Sequence, residues 1–225
     1  MTRSNGRPRY GTVVFDVDST LAAIEGIDWL ATRRDTLIEA EIKVLTERAM
    51  AGEIPLEAVY GHRLSLIRPT RVDIAALAAA YLVAVHPGAR ALCAVLAAAG
   101  CDVALLSGGL REAILPLAEH LGVDASAVYA VDITFDHDGQ FVGLDGDQPL
   151  TSQQGKPAVL HALRATFERP LVMVGDGSTD AACRGVSDAF IAYTGVARRV
   201  NVVAVADAEA PDFQSLYPLL FDSTA

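Results

Sequence analysis

Apolar positions change their spacing twice along this chain. Thr12-Val13-Val14-Phe15 is a short β-branched and aromatic run that ends on Asp16-Val17-Asp18, and it predicts a buried strand stopping at a pair of carboxylates. Over residues 21–85 the spacing is helical: Ile38, Ile42, Leu45 and Ala49 recur at the helical interval, Gly52 and Pro55 mark a break, and Leu56, Val59, Tyr60, Leu64 and Ile67 form a second stripe before Pro69. No strand is predicted in that block. After Pro87-Gly88 helices and strands alternate: helix over 89–99, strand over 103–106, helix over 111–121, and a short strand over 128–131. Residues 133–143 read as a hairpin turning at Asp136 to Gly139. The alternation resumes with a helix over 157–167 that carries Pro at an early position, a strand over 171–174, and a short helix after Gly175-Asp176-Gly177. Strands over 189–192 and 202–205 and a helix over 213–221 complete the chain. The pattern predicts an α/β fold with a Rossmann-like, mostly parallel sheet, a helical insert after the first strand and a β-hairpin excursion. Residues 10–19 and 87–225 form the expected core and 20–86 the insert, while 1–9, rich in Arg, Gly and Pro, are expected to be poorly ordered.

Composition narrows the function. Of the 225 residues 52% are hydrophobic and 20% charged, enough apolar material for a sizeable core. The net charge of −10 argues against nucleic acid as a partner, since a polynucleotide needs many phosphates neutralised. A small anion held in a cleft by a few local cations or a metal is compatible with it. Cys93, Cys101 and Cys183 are odd in number and form no CxxC pair, so neither a disulfide framework nor a thiolate zinc site is expected. The apolar stretch after Arg3, Arg7 and Arg9 is cut at Asp16, and residues 74–85 are too few to span a bilayer, which takes about 20. The expectation is a soluble cytoplasmic protein with no membrane partner.

Four polar clusters fall at the carboxyl end of a predicted strand or at the entry to the next helix: Asp16-Val17-Asp18-Ser19-Thr20, Ser107-Gly108-Gly109, Lys156, and Gly175-Asp176-Gly177-Ser178-Thr179-Asp180. Open α/β sheets bind ligands at that edge. Taken singly, each cluster has an innocuous reading as a turn or a solvated surface. Taken together, Asp16, Asp18, Asp176 and Asp180 concentrate negative charge that a hard divalent cation would relieve, and Mg²⁺ favours such oxygen ligands. Ser107, the backbone N–H groups beside it and Lys156 can hold a phosphoryl group. A carboxylate can act as the nucleophile, and a second one two residues on can protonate the leaving oxygen and then activate water. Calcium-loop spacing, GxxxxGK[ST] and GxGxxG are all missing.

In this order the four clusters resemble the motifs of the haloacid dehalogenase superfamily of phosphatases. The resemblance extends to the phosphoserine phosphatase branch through Glu25-Gly26-Ile27-Asp28, Thr46-Glu47-Arg48-Ala49-Met50, Arg63-Leu64-Ser65-Leu66-Ile67, Ser107-Gly108-Gly109-Leu110-Arg111 and the hairpin. It implies that Asp16 is the phosphoacceptor and Asp18 the acid/base, with Mg²⁺ on Asp16, the Asp18 carbonyl and Asp176, and with Asp180 steadying the metal's shell or Lys156. It also implies that Ser107, Gly108 and Lys156 bind phosphate under a mobile helical cap. There Glu25 would face the substrate ammonium and Arg63 its carboxylate, with Met50 packed beside them. Two positions depart from the pattern: Ala181-Ala182-Cys183 stands where many relatives carry a Glu, and Leu45 where a Met is frequent. The first leaves the metal's surroundings with less support.

Independently of the resemblance, Arg63 lies four residues after Val59 and seven after Leu56, on the apolar stripe of its helix, where a cation wants a partner. The alternative is that its head meets a carboxylate within the insert. Glu25 likewise reads as a helix-start acid. The expected reaction is Mg²⁺-dependent hydrolysis of L-phosphoserine, a small phosphate ester, through an aspartyl-phosphate. Two alternatives are the same chemistry on another phosphorylated metabolite or an acceptor such as homoserine, and a catalytically silent binding module. Whether the chain is a monomer or a homodimer is left open by its sequence.

Overall fold

A computed structural model describes residues 6–50 and 53–223, the Met50 side chain excepted. Six parallel strands form one sheet in the order β3-β2-β1-β6-β7-β8, with β1 Thr12–Phe15, β2 Asp102–Leu110, β3 Val128–Val131, β6 Leu171–Gly175, β7 Ala189–Tyr193 and β8 Ala208–Ala210. All residues of β1, β6 and β7 are buried, as expected of parallel strands covered on both faces. The hairpin strands β4 Ile133–Phe135 and β5 Phe141–Leu144 form a separate antiparallel pair, closed by the turn in which the Asp136 N–H donates to the Gln140 carbonyl at 2.9 Å.

Four helices make up the insert that follows β1: α1 Gly26–Ala31, α2 Thr36–Met50, α3 Leu56–Ile67 and α4 Arg71–Ala84. Their inward apolar faces follow the sequence pattern, with Ile42 and Ala49 on α2 and Val59, Tyr60, Leu64 and Ile67 on α3 buried. Thr70 and Asp73 start α4 with a reciprocal capping box. The chain enters and leaves this block through two adjacent segments joined by Ala23 N–H to the Ala84 carbonyl and His86 N–H to the Leu21 carbonyl, both 2.9 Å.

The remaining helices flank the sheet: α5 Ala89–Ala98, α6 Arg111–Leu121, α7 Gly155–Ala162, the short α8 Ser178–Ala181 and α9 Val200–Val203, and α10 Phe213–Leu220. Phe213 of α10 packs on the sheet, with ring centroids 6.2 Å from Phe15 and 5.3 Å from Tyr193. Among the described residues no helix is long and apolar enough to cross a membrane. Of the segment expected to be poorly ordered, residues 1–5 lie outside the described residues. Residues 7–9 pair with the C-terminal end, Arg9 N–H donating to the Leu220 carbonyl and Asp222 N–H to the Arg7 carbonyl.

Three elements differ from expectation. The valine-rich 202–205 is not a strand: Val203 and Ala204 N–H groups donate back to the Arg199 and Val200 carbonyls, a helical pattern, and Val200 and Val205 face solvent while Val202 is buried. The edge strand is instead Ala208–Ala210, whose alanines and glutamate have weak strand preference and gain their conformation from pairing with β7. The strand expected over 103–106 runs on through Ser107-Gly108-Gly109 to Leu110, with a register shift between Leu106 and Leu110. The helix expected over 157–167 starts earlier and ends at Ala162, which places Lys156 in its first turn.

Candidate active site

Parallel register collects the polar clusters. Phe15 of β1 lies opposite Leu105 of β2 and Val174 of β6, so the next residue, Asp16, emerges between the ends of both neighbours. Ser107 follows on one side and Asp176 on the other. Asp180 arrives from α8 and Lys156 from α7. Asp16, Asp176, Asp180, Lys156 and Ser107 are all at least 95% buried.

Lys156 holds the acids together. Its Nζ donates to Asp16 Oδ1 and Asp180 Oδ1, both at 2.6 Å. Burial opposes its charge, but the two carboxylates outweigh that and raise its pKa, so it stays an ammonium. Burial also raises the Asp16 pKa, reinforced by the Asp180 charge and opposed by Lys156. Both Asp180 oxygens are engaged, the second accepting from the Gly177 N–H at 2.9 Å. Asp176 accepts from Thr20 Oγ1 at 3.3 Å and from Arg199 Nη1, which reaches in from the turn before α9 and also meets the Asp176 carbonyl at 3.2 Å.

One carboxylate oxygen from each of Asp16, Asp176 and Asp180 falls within 4.8 Å of the others. An all-oxygen, buried, anionic donor set of this kind suits a hard divalent cation. The residues present therefore fit Mg²⁺, with Lys156 holding Asp180 beside Asp16.

Asp18 sits at the turn leaving β1, half-buried, and Ser19 after it adopts a left-handed conformation with φ +54°. Burial raises the Asp18 pKa, with the Glu25 charge adding to it, against hydrogen bonds from Tyr81 and the Gly26 N–H. Ser107 Oγ accepts from the Gly109 N–H at 2.9 Å. The Gly108 carbonyl accepts from Tyr60 of α3 at 2.6 Å.

Across the cleft, Glu25 immediately precedes α1 and accepts from Ser19 Oγ at 2.6 Å. Arg63, 5% exposed, donates through Nη1 to Thr46 Oγ1 at 2.7 Å, and Thr46 donates to Asp28 Oδ1 at 2.5 Å. Arg63 Nε is buried with no partner. One cleft is bordered by Asp16, Asp18, Glu25, Arg63, Gly108 and Lys156. The structure thus brings together every described residue singled out in the sequence; the Met50 side chain lies outside the described residues. Arg63 meets a hydroxyl, and a carboxylate only through it.

Residues 13–183 match the family model described as haloacid dehalogenase-like hydrolase. The chain belongs to that family. Within it the phosphoserine phosphatase of Bos taurus is 36% identical over 205 residues, covering 91% of this chain and 90% of the relative. A phosphoserine phosphohydrolase-like protein from Francisella tularensis shares the fold with a TM-score of 0.85 and 26% identity, over 92% of this chain and 98% of that one. A structure described as a phospho-aspartyl intermediate analogue of phosphoserine phosphatase superposes with a TM-score of 0.78 and 26% identity, over 93% and 98%. This haloacid dehalogenase-like hydrolase thus groups with the phosphoserine phosphatases, as a phosphoric monoester hydrolase.

The sequence reading gave no role to Tyr60, Tyr81 or Arg199, nor to Thr46 and Asp28, which it named only within the stretches that carry the resemblance. Thr46 carried one available signal: a polar residue, buried here, four positions after Ile42 on the apolar face of α2.

Proposed function

We propose that this protein is a Mg²⁺-dependent phosphomonoesterase acting on L-phosphoserine through a phospho-Asp16 intermediate. The observation that carries the reading is the Lys156 ammonium bridging Asp16 and Asp180 at 2.6 Å beside Asp176. It leaves an aspartate with one oxygen neutralised at the edge of a sheet that also presents Ser107 and Gly108.

Asp16, the backbone carbonyl of Asp18 and Asp176 would hold the magnesium, which when bound supplies positive charge against the phosphate and the attacking carboxylate. Lys156, Ser107 and Gly108 orient the phosphoryl oxygens. A free Asp16 oxygen attacks phosphorus, the ester P–O bond breaks, and Asp18 gives its proton to the departing seryl oxygen. Asp18, now a carboxylate, takes a proton from water as that water attacks phosphorus and the bond to Asp16 breaks, releasing phosphate. The raised pKa of Asp18 suits a group that must carry a proton in one half of the cycle and lose it in the other.

Specificity comes from the insert, residues 20–86, acting as a cap over the core formed by 10–19 and 87–225. Glu25 complements an ammonium and the unpartnered Arg63 Nε a carboxylate. Phosphate release from L-phosphoserine, measured against a panel of small phosphate esters with EDTA as control, tests the reading. Release that is selective for phosphoserine and lost with EDTA is expected. Release from other esters in preference moves the substrate, and none from any ester removes the reading.

A further inference from the structure

The Asp18 carboxylate is held unevenly. Its Oδ1 accepts from the Tyr81 hydroxyl at 2.6 Å and from the Gly26 N–H at 2.9 Å, whereas Oδ2 faces Gly109, where a Cβ would come within 3.0 Å of it. Tyr81 is fully buried near the end of α4, and its hydroxyl lies so close to Gly26 that a Cβ there would stand 2.1 Å away. Only glycine at 26 lets both donors converge on one oxygen. A carboxylic acid whose Oδ1 already accepts two hydrogen bonds keeps its proton on the other oxygen.

We infer that Tyr81 is a positioning residue for Asp18, pinning Oδ1 so that Oδ2, on the side of Gly109, exchanges the proton with the ester oxygen. The inference rests on Asp18 being the acid/base of the proposed reaction. As the ester P–O bond breaks, its electron pair passes to the leaving oxygen, which takes the proton from Oδ2. In the second half, the attacking water returns a proton to Oδ2. Oδ1 stays with Tyr81 and Gly26 throughout.

The test compares leaving groups. A seryl alkoxide cannot leave unprotonated, whereas p-nitrophenolate is a stable anion, and kcat/KM reports steps only through the first irreversible one. Tyr81→Phe is expected to lower kcat/KM on phosphoserine by about tenfold to a hundredfold, less than the roughly hundredfold or more that general-acid catalysis itself supplies, because the acid is misplaced and not removed. On p-nitrophenyl phosphate the loss should stay within about threefold. Asp18→Asn should show the same selectivity more strongly, and adding Tyr81→Phe to it should bring no further selective loss. Should Tyr81→Phe not fold, Tyr81→Gln against Tyr81→Met, matched in length and differing in the donor, gives the same comparison. Equal losses on both substrates from removing the donor, with Asp18→Asn still selective, overturn the role of Tyr81. An unselective Asp18→Asn overturns the acid/base reading itself.

Discussion

The Tyr60 hydroxyl of α3 donates to the carbonyl of Gly108 at 2.6 Å, so a helix of the insert is tied to the backbone proposed to bind phosphate. The same ring lies under the Arg63 guanidinium, 5.6 Å from its centroid. Tyr60→Phe leaves the ring and removes the tie. The expected outcome is a loss of about 1–2 kcal/mol in urea unfolding, the usual range for a buried hydrogen bond with its acceptor left unmet. A rise in KM for phosphoserine should accompany it, and an unchanged midpoint together with an unchanged KM would show that the tie matters to neither.

Thr46 stands between Arg63 and Asp28, accepting from one and donating to the other. Thr46→Val keeps the shape and removes both bonds, freeing the guanidinium to turn. KM for phosphoserine should rise about tenfold, the size expected for a hydrogen bond to a charged group, with kcat little changed. Phosphoethanolamine, which has no carboxylate, should not respond, and Thr46→Ser should restore the original KM. A matching rise on both substrates would detach Arg63 from carboxylate recognition.

Asp16→Asn removes the proposed nucleophile and should abolish turnover while leaving the chain folded. Its side chain is buried against Lys156, so the change also takes one of the two carboxylates from that ammonium, and a fall in thermal stability is expected alongside. Mass spectrometry of acid-quenched wild-type enzyme should find phosphate on Asp16 and none on the variant.

Magnesium should stabilise the fold by mass action, by about 2.7 kcal/mol at a hundredfold excess over its Kd. Asp176→Asn should lose most of that response in a thermal titration. Arg199, which reaches Asp176 from the turn before α9, is expected to compete with the ion, so Arg199→Ala should bind Mn²⁺ more tightly in a direct titration.

Asp73 supplies a dependence on pH remote from the reaction. Burial favours its neutral form, but hydrogen bonds from Arg34, the Thr70 N–H and Arg33 prevail and hold its pKa well below the usual carboxylate range. With the folded pKa below the unfolded one, its contribution is complete above pH ~4 and disappears as pH falls through the depressed value. Asp73→Asn should therefore cost about 1–3 kcal/mol at pH 7, as for hydrogen bonds to charged groups, and progressively less in strong acid. A cost independent of pH would leave packing as the explanation.

The meeting of Asp16, Ser107, Lys156, Asp176 and Asp180 was legible in the sequence because parallel strands buried on both faces read as continuous apolar runs, and their ends and the helices that start beside them share one edge of the sheet. The polar partners of that site were not. Tyr81 follows Ala78-Ala79-Ala80 on an apolar helix, and nothing local marks its hydroxyl as reaching Asp18, 63 residues earlier. Arg199 was hidden by the valines after it, which have the composition of a strand and the hydrogen bonds of a helix. Arg63 was legible as a cation on an apolar face, but its immediate partner, a threonine hydroxyl, depends on how α2 and α3 pack.

The strand carrying Asp16 is paired on both sides, to β2 and to β6, and none of its four residues is exposed. Amide protons there should be among the last to exchange with deuterium, opening only with the whole domain. Excursions of the surrounding loops would then leave the proposed nucleophile in register, so that heat or denaturant should erase the chemistry only when it erases the sheet.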